Sequence, residues 1–159
     1  MSLETVAEHF AGLCDRAAVF GADVHIEFAP ESGVPDLASA WAMVQLAGRP
    51  NGGILFDTWH FHRSGSSAEL LASIPGDRIM AVQVSDAGPE IIGSMWEDTL
   101  HHRLLPGDGC IDLAGVRRIL TGTGGLGLVG PEVFSDDLAA MAPADAAVLA
   151  CARTRAAGF

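Results

Sequence analysis

GGILFDTWHFH, residues 52–62, begins as an apolar segment and ends in polar side chains that can do chemistry. Short apolar runs bounded by turn residues are typical of buried strands in parallel sheets. The run ends at Asp57, and His60 follows three residues later. A single carboxylate in this place is commonly a helix cap, so its interpretation depends on whether the pattern recurs along the chain.

Helical and extended segments alternate along the whole sequence. The predicted helices cover 4–19, 36–47, 67–73, 112–120 and 136–157, and the predicted strands cover 22–30, 52–57, 78–86 and 126–133. The stretch from 87 to 112 is rich in glycine and proline and is predicted to be a loop with one short helix. This alternation predicts an α/β fold of parallel βα units, within a single domain over residues 1–159.

The composition excludes several classes of protein. The chain is 49% hydrophobic and 18% charged, and its apolar runs are shorter than the ~18 residues of a membrane span. Its net charge is −11 and its nine basic residues are all arginine, which excludes a Schiff-base lysine and argues against binding to nucleic acid. Three widely spaced cysteines and the lack of a leader pattern at the N-terminus predict a reduced, cytoplasmic protein.

The carboxylate at the end of the 52–57 strand has counterparts at the ends of the other predicted strands. They are Glu27, Gln83 together with Asp86, and Glu132. Parallel strands end at one face of a sheet, where α/β folds place their active sites, so these side chains are predicted to converge. Carboxylates that share a pocket need a cation or shared protons, and an oxygen-rich set suits Mg²⁺ or Mn²⁺. The alternative, that each carboxylate caps a helix or pairs with an arginine, stays open.

Five segments resemble, in the same order, the xylose isomerase-like TIM-barrel superfamily. They are IEFAP (26–30), GGILFDTWH (52–60), VQVSD (82–86), RLLPGDGCIDL (103–113) and GLVGPEVF (127–134). That superfamily includes sugar phosphate isomerases and epimerases, ketose 3-epimerases, inosose dehydratases and keto-inositol isomerases. The resemblance implies half of a (β/α)8 TIM barrel, strands five to eight, in a chain apparently truncated on its N-terminal side.

The resemblance also implies a divalent metal. Its ligands would be Glu27, Asp57, Gln83 and Glu132. Gln83 stands where the family has a histidine, and this weaker amide ligand favours Mn²⁺ or Mg²⁺ over Co²⁺ or Zn²⁺.

Roles for other residues follow from the same resemblance. Glu27 and Glu132 would act as acid and base, and His60 and Arg103 would contact the substrate. His60 would lie beside the metal without binding it. His25 alternates with Glu27 along its strand and is expected to be a buried histidine inside the barrel.

The implied activity is a metal-dependent isomerase or epimerase acting on a small sugar, keto-inositol or hydroxy-keto-acid through an enediolate. The alternatives are a dehydratase or lyase of the same superfamily, a non-catalytic sugar-binding remnant, and endonuclease IV-like DNA repair, against which the acidic charge argues. The expected partners are a small carbohydrate-like substrate and either the missing half-barrel or a second copy of the chain, because four parallel strands leave two open edges.

Overall fold

A sheet of four parallel strands organises the computed structural model, which describes residues 2–159. The strands are β1 (Val24–Glu27), β2 (Gly52–Asp57), β3 (Ile79–Val84) and β4 (Leu128–Pro131). They lie side by side in chain order, and the register places Asp57 opposite Gln83. The predicted α/β fold of parallel βα units is therefore confirmed, whereas their correspondence to strands five to eight of a complete barrel stays a prediction.

Eight α-helices connect and cover the strands within residues 2–159. They are α1 (Leu3–Ala18), α2 (Leu37–Ala47), α3 (Thr58–Arg63), α4 (Ala68–Ser73), α5 (Met95–His101), α6 (Leu113–Thr123), α7 (Asp136–Ala139) and α8 (Pro143–Ala156), with a 3-10 turn at Gly76–Arg78. The caps expected for α2 are present, because Asp36 accepts from the Ser39 N–H and Gly48 ends the helix with a left-handed φ of 62°. Within these residues no helix combines the length and apolar character needed to cross a membrane.

Two segments differ from the sequence prediction. The residues after Asp57 form helix α3, which begins directly at the strand end because the Asp57 carboxylate accepts from the His60 N–H at 2.9 Å. The tail predicted as one helix over 136–157 is divided into α7 and α8. Pro143 lies in the first turn of α8, where a residue without an N–H is well tolerated.

The apolar core lies between the sheet and its helices. Ile54 and Phe56 of β2 are fully buried there, and the Phe56 ring packs against Phe61 with 5.1 Å between ring centroids. Gly52 lets the sheet approach α1 closely, since a Cβ at this position would lie 3.0 Å from Cys14 Sγ. Residues of the same parity in β1, Val24 and Ile26, pack against this core.

The opposite face of the sheet carries the residues of the other parity. It includes Leu55, which is partly buried, and Leu128, which is 68% exposed. His25 lies on this face and is exposed, so the prediction of a buried histidine is wrong. His25 does lie on the same face as Glu27, as the alternation along the strand predicts, but that face is the one away from the apolar core. The strand-end carboxylates lie along this same face.

Candidate active site

The strand-end side chains meet around one guanidinium, that of Arg103. Its Nη1 donates to Asp57 Oδ2 at 2.8 Å and to Glu132 Oε2 at 3.1 Å. Gln83 Nε2 donates to Glu132 Oε1 at 2.7 Å. Asp57, Gln83 and Glu132, three of the four ligands expected from the sequence, are thus connected to one another. The positively charged guanidinium of Arg103 lies between the two carboxylates.

Glu27 lies at the other side of the site, next to His60. The His60 Nε2 atom lies 3.5 Å from Glu27 Oε1 and 3.2 Å from Arg103 Nη2. Because an arginine N–H only donates, we assign His60 Nε2 as the acceptor and place the proton of the neutral ring on Nδ1. Burial lowers the pKa of His60, which agrees with a neutral imidazole.

Three of these side chains form a group that could hold a metal ion. One ligand atom each from Glu27, Asp57 and His60 lies within 4.8 Å of the others. This group shares Glu27 and Asp57 with the set expected from the sequence and includes His60 in place of Gln83 and Glu132. Gln83 Oε1 is buried without a hydrogen-bond partner among the described residues, so its lone pairs are available to a hard cation. The donors present fit a divalent metal.

Burial raises the proton affinity of two glutamates. The pKa of Glu132 is raised to about 7, mainly because burial disfavours the charged carboxylate. Arg103 opposes this shift, and the neighbouring charges of Asp57 and Glu27 add to it. Burial, with a smaller contribution from Asp57, also raises the pKa of Glu27. A carboxyl group that titrates near neutrality can both accept and return a proton.

Arg103 is held by residues that the sequence did not single out. Its side chain is 2% exposed, and Nε and Nη2 donate to Thr99 Oγ1 at 3.2 and 2.9 Å. The guanidinium lies over the Trp59 ring at 5.1 Å from the centroid, and that of Arg63 lies over the same ring at 5.5 Å. Thr99 lies on α5, whereas Arg103 lies two residues after this helix ends, so no helical spacing in the sequence links the two side chains.

Asp86, considered from the sequence as a strand-end residue of the site, instead anchors the loop that follows Arg103. Its carboxylate accepts hydrogen bonds from four backbone N–H groups, those of Ala87, Gly107, Gly109 and Ile111. A Cβ at Gly109 would overlap the Asp86 carboxylate and the Ala87 carbonyl. The PGDG segment is therefore a turn built around a buried carboxylate.

A buried ion pair fixes α5, the helix that precedes Arg103. Arg63 Nη2 lies 2.8 Å from Asp98 Oδ2, and both side chains are almost completely buried. The other oxygen of Asp98 accepts from the Ile92 N–H at 3.2 Å. Because Thr99 follows Asp98 directly, this pair positions an acceptor of Arg103.

A cavity of about 370 Å³ opens on the site. Glu27, His60, Arg103 and Glu132 line its polar side. Its apolar lining includes Trp96, Leu100 and Phe134, of which Trp96 is 55% exposed. A cavity of this size, lined by both polar groups and an exposed indole, suits a small hydroxylated ligand with an apolar C–H face.

Comparisons with known proteins agree with this architecture. The family described as xylose isomerase-like TIM barrel matches residues 1–156. The chain is 32% identical to an inosose isomerase from Bacillus velezensis, over 80% of this chain and 45% of that protein. It is 33% identical to a 3-dehydroshikimate dehydratase from Pseudomonas aeruginosa, over 82% of this chain and 21% of that protein. The chain thus spans less than half the length of these relatives.

Solved structures show the same relationship. A crystal structure of the IOLI protein with a binding zinc atom superimposes with a TM-score of 0.89 and 25% identity, over 98% of this chain and 55% of that one. The fold is also that of 3-keto-D-glucoside 4-epimerase from E. coli, with a TM-score of 0.72 and 21% identity, over 98% of this chain and 56% of that one.

Proposed function

The chain belongs to the xylose isomerase-like TIM-barrel family, and we propose that it forms the acid/base side of the active site of an isomerase or epimerase. The substrate would be a small sugar, keto-inositol or hydroxy-keto-acid. The observation that carries this proposal is Glu132, whose carboxyl group has a pKa of about 7 and lines a cavity together with Glu27, His60 and Arg103. Named relatives of the chain, an inosose isomerase among them, support the reaction class.

The chemistry is proton transfer next to a carbonyl group. Glu132 in its ionised form would remove the α-proton, and an enediolate would result. Glu27, at the end of the strand on the opposite edge of the sheet, would return a proton in its protonated form. In an epimerase the proton would go to the same carbon from the other face. In an isomerase it would go to the former carbonyl carbon, as the neighbouring hydroxyl proton passes to the enediolate oxygen, and exchange with solvent would restore both carboxyl groups. Neutral His60 would exchange the hydrogen bond that its Nε2 accepts from Arg103 for one from a substrate hydroxyl.

Glu27, Asp57, Gln83 and Glu132 are the residues that would hold a divalent metal, with His60 beside it. A cation bound there would polarise the substrate carbonyl and stabilise developing negative charge. The zinc in the IOLI crystal structure supports a metal in this fold, and we favour Mn²⁺ or Mg²⁺ here because glutamine replaces the expected histidine.

Solvent exchange tests the proposal directly. The protein is incubated with keto-inositols, keto-sugars or hydroxypyruvate in D₂O with Mn²⁺, and the substrate is followed by proton NMR. We expect deuterium at the α-carbon, and a product that has the same elemental formula as the substrate apart from this exchanged hydrogen. Glu132→Gln should abolish the exchange, whereas Glu8→Gln, on the exposed side of α1, should leave it unchanged. Exchange that persists in the Glu132 variant would remove this residue from the mechanism.

A dehydratase is the second candidate, because the P. aeruginosa dehydratase is as similar to the chain as the inosose isomerases. Both reactions begin with removal of an α-proton, so the same carboxylate serves either. The composition of the product separates them, since a dehydratase releases water and leaves a carbon–carbon double bond.

A further inference from the structure

We propose that Arg103 is a built-in counter-cation that competes with the divalent metal for the carboxylates of the site and thereby sets the metal affinity. This inference rests on the metal site of the proposed function. It goes further by giving Arg103 a role toward the metal in place of the substrate contact predicted from the sequence.

The first observation is that Asp57 and Glu132 are already engaged. Asp57 Oδ1 accepts from the His60 N–H at 2.9 Å, and Asp57 Oδ2 accepts from Arg103 at 2.8 Å. Glu132 Oε1 accepts from Gln83 at 2.7 Å, and Glu132 Oε2 accepts from Arg103 at 3.1 Å. A metal that binds either carboxylate through the oxygen facing Arg103 would have to share or displace the guanidinium.

The second observation is the charge balance. The site holds three carboxylates, and Arg103 is the one arginine or lysine that forms an ion pair with any of them among residues 2–159. Asp57 and Arg103 are buried, and electrostatic interactions are strong where water is excluded. The guanidinium therefore supplies the neutralisation that a bound cation would otherwise give, and it repels a cation that enters.

The third observation is that Arg103, although it borders the cavity, has its N–H groups engaged by protein acceptors. All three guanidinium nitrogens donate to protein acceptors, and Nη2 contacts both His60 at 3.2 Å and Thr99 at 2.9 Å. The side chain is almost completely buried. A hydrogen bond from Arg103 to a ligand would require the loss of one of these contacts, whereas its present contacts all favour a role inside the carboxylate cluster.

A pair of substitutions separates the charge of Arg103 from its shape. Arg103→Gln removes the positive charge, and Arg103→Lys keeps the charge but loses the branched hydrogen-bonding geometry. Metal-free protein is titrated with Mn²⁺, and free Mn²⁺ is measured by electron paramagnetic resonance. We expect Arg103→Gln to bind Mn²⁺ about tenfold more tightly than the unsubstituted protein, which corresponds to about 1.4 kcal/mol. Arg103→Lys should stay close to the unsubstituted protein.

Arg49→Gln is the matched control, because Arg49 pairs with Asp15 at the exposed end of α1. Its affinity for Mn²⁺ should not change. Equal or weaker binding by folded Arg103→Gln would overturn the inference while leaving the metal site intact. If neither the unsubstituted protein nor Arg103→Gln binds Mn²⁺, the inference and the metal part of the proposed function both fail.

A measurement on the unsubstituted protein covers the case in which Arg103→Gln does not fold. The guanidinium N–H protons of Arg103 should be protected from exchange with water in metal-free protein, because they donate inside a buried cluster. Saturation with diamagnetic Zn²⁺ should speed up their exchange as Nη1 is released. Protection that is the same with and without bound Zn²⁺ would contradict competition.

Discussion

Asp57 combines three structural roles at the end of strand β2. Its backbone ends β2, one carboxylate oxygen caps α3, and the other accepts from Arg103. The sequence indicated its position, and it offered a metal ligand, a helix cap and an arginine partner as separate interpretations. The structure shows the cap and the ion pair together, because a carboxylate has two oxygens that can face different partners.

Replacing Asp57 by Asn should destabilise the protein strongly. The cap on α3 can survive, but Arg103 would lose the more deeply buried of its two carboxylate partners. Removing one member of a buried pair costs about 3–5 kcal/mol. Urea unfolding of metal-free protein followed by circular dichroism measures this loss. Asp15→Asn, at the exposed pair with Arg49, is the control and should change stability little. Equal effects for the two variants would contradict the importance of the buried pair.

The raised pKa of Glu132 makes a prediction about pH. A carboxyl group whose pKa is higher in the folded protein stabilises the fold most below its ordinary value of 4.5, and this contribution is lost as pH rises through about 7. Glu132→Gln cannot ionise and avoids that loss. In metal-free protein, the free energy of unfolding of Glu132→Gln should therefore rise relative to the unsubstituted protein between pH 4.5 and pH 7. A difference that does not depend on pH would show that Glu132 titrates normally.

At the scale of elements, the long helices and the strands could be predicted from the sequence because periodicity identifies them. Helix α3 could not, since it begins at the strand end itself, with no turn residues in between, and depends on the Asp57 cap. The position of Arg103 followed from the family resemblance, but its partners depend on α5 and on the Asp86-centred turn. These are long-range contacts that no local pattern records.

Gly109→Ala should loosen the turn that follows Arg103. The added Cβ would overlap the Asp86 carboxylate, which binds four backbone N–H groups of the segment. We expect a loss of about 2 kcal/mol in the free energy of unfolding, typical of a disrupted buried hydrogen-bond network. Hydrogen exchange of the Gly107 and Ile111 amides reports the loosening locally.

Gly127→Ala is the control for this prediction, because a Cβ at Gly127 meets no atom within 4 Å. It should leave both the unfolding free energy and amide protection close to their original values. If the two alanine variants behave alike, close packing at Gly109 is not what holds the turn.

At the scale of the whole molecule, the two faces of the sheet differ in what covers them. The sequence predicted parallel strands and the convergence of their polar ends, since both follow from the alternation of elements. The sequence did not decide which alternate set of strand residues faces the core. Ile26 packs against the core, whereas its neighbour His25 is exposed on the other face. In a strand of only four residues, either alternate set of side chains can face the core, and the choice depends on the side of the sheet on which the helices pack.

The face that carries Leu128 should make the isolated chain prone to association. Leu128 is 68% exposed and lies with Leu55 beside a groove of the sheet, on a strand at its edge. Sedimentation velocity should show mass increasing with concentration, and Leu128→Glu should reduce that increase. Val148→Glu replaces an equally exposed residue on α8 and should have little effect. A chain that stays monomeric at all concentrations would contradict this prediction.

Trp59 lies beneath both Arg63 and Arg103, with its ring fully buried, and this stack gives the protein an optical reporter of the candidate site. The emission of an indole shifts when a charge a few ångströms from its ring moves. Release of Arg103 should therefore change Trp59 fluorescence without any added label. Trp41→Phe with Trp96→Phe leaves Trp59 as the single tryptophan, and the emission of this protein should then follow a Zn²⁺ titration. An Arg103→Gln background should remove that response, so the emission of Trp59 can be used to screen ligands and metals.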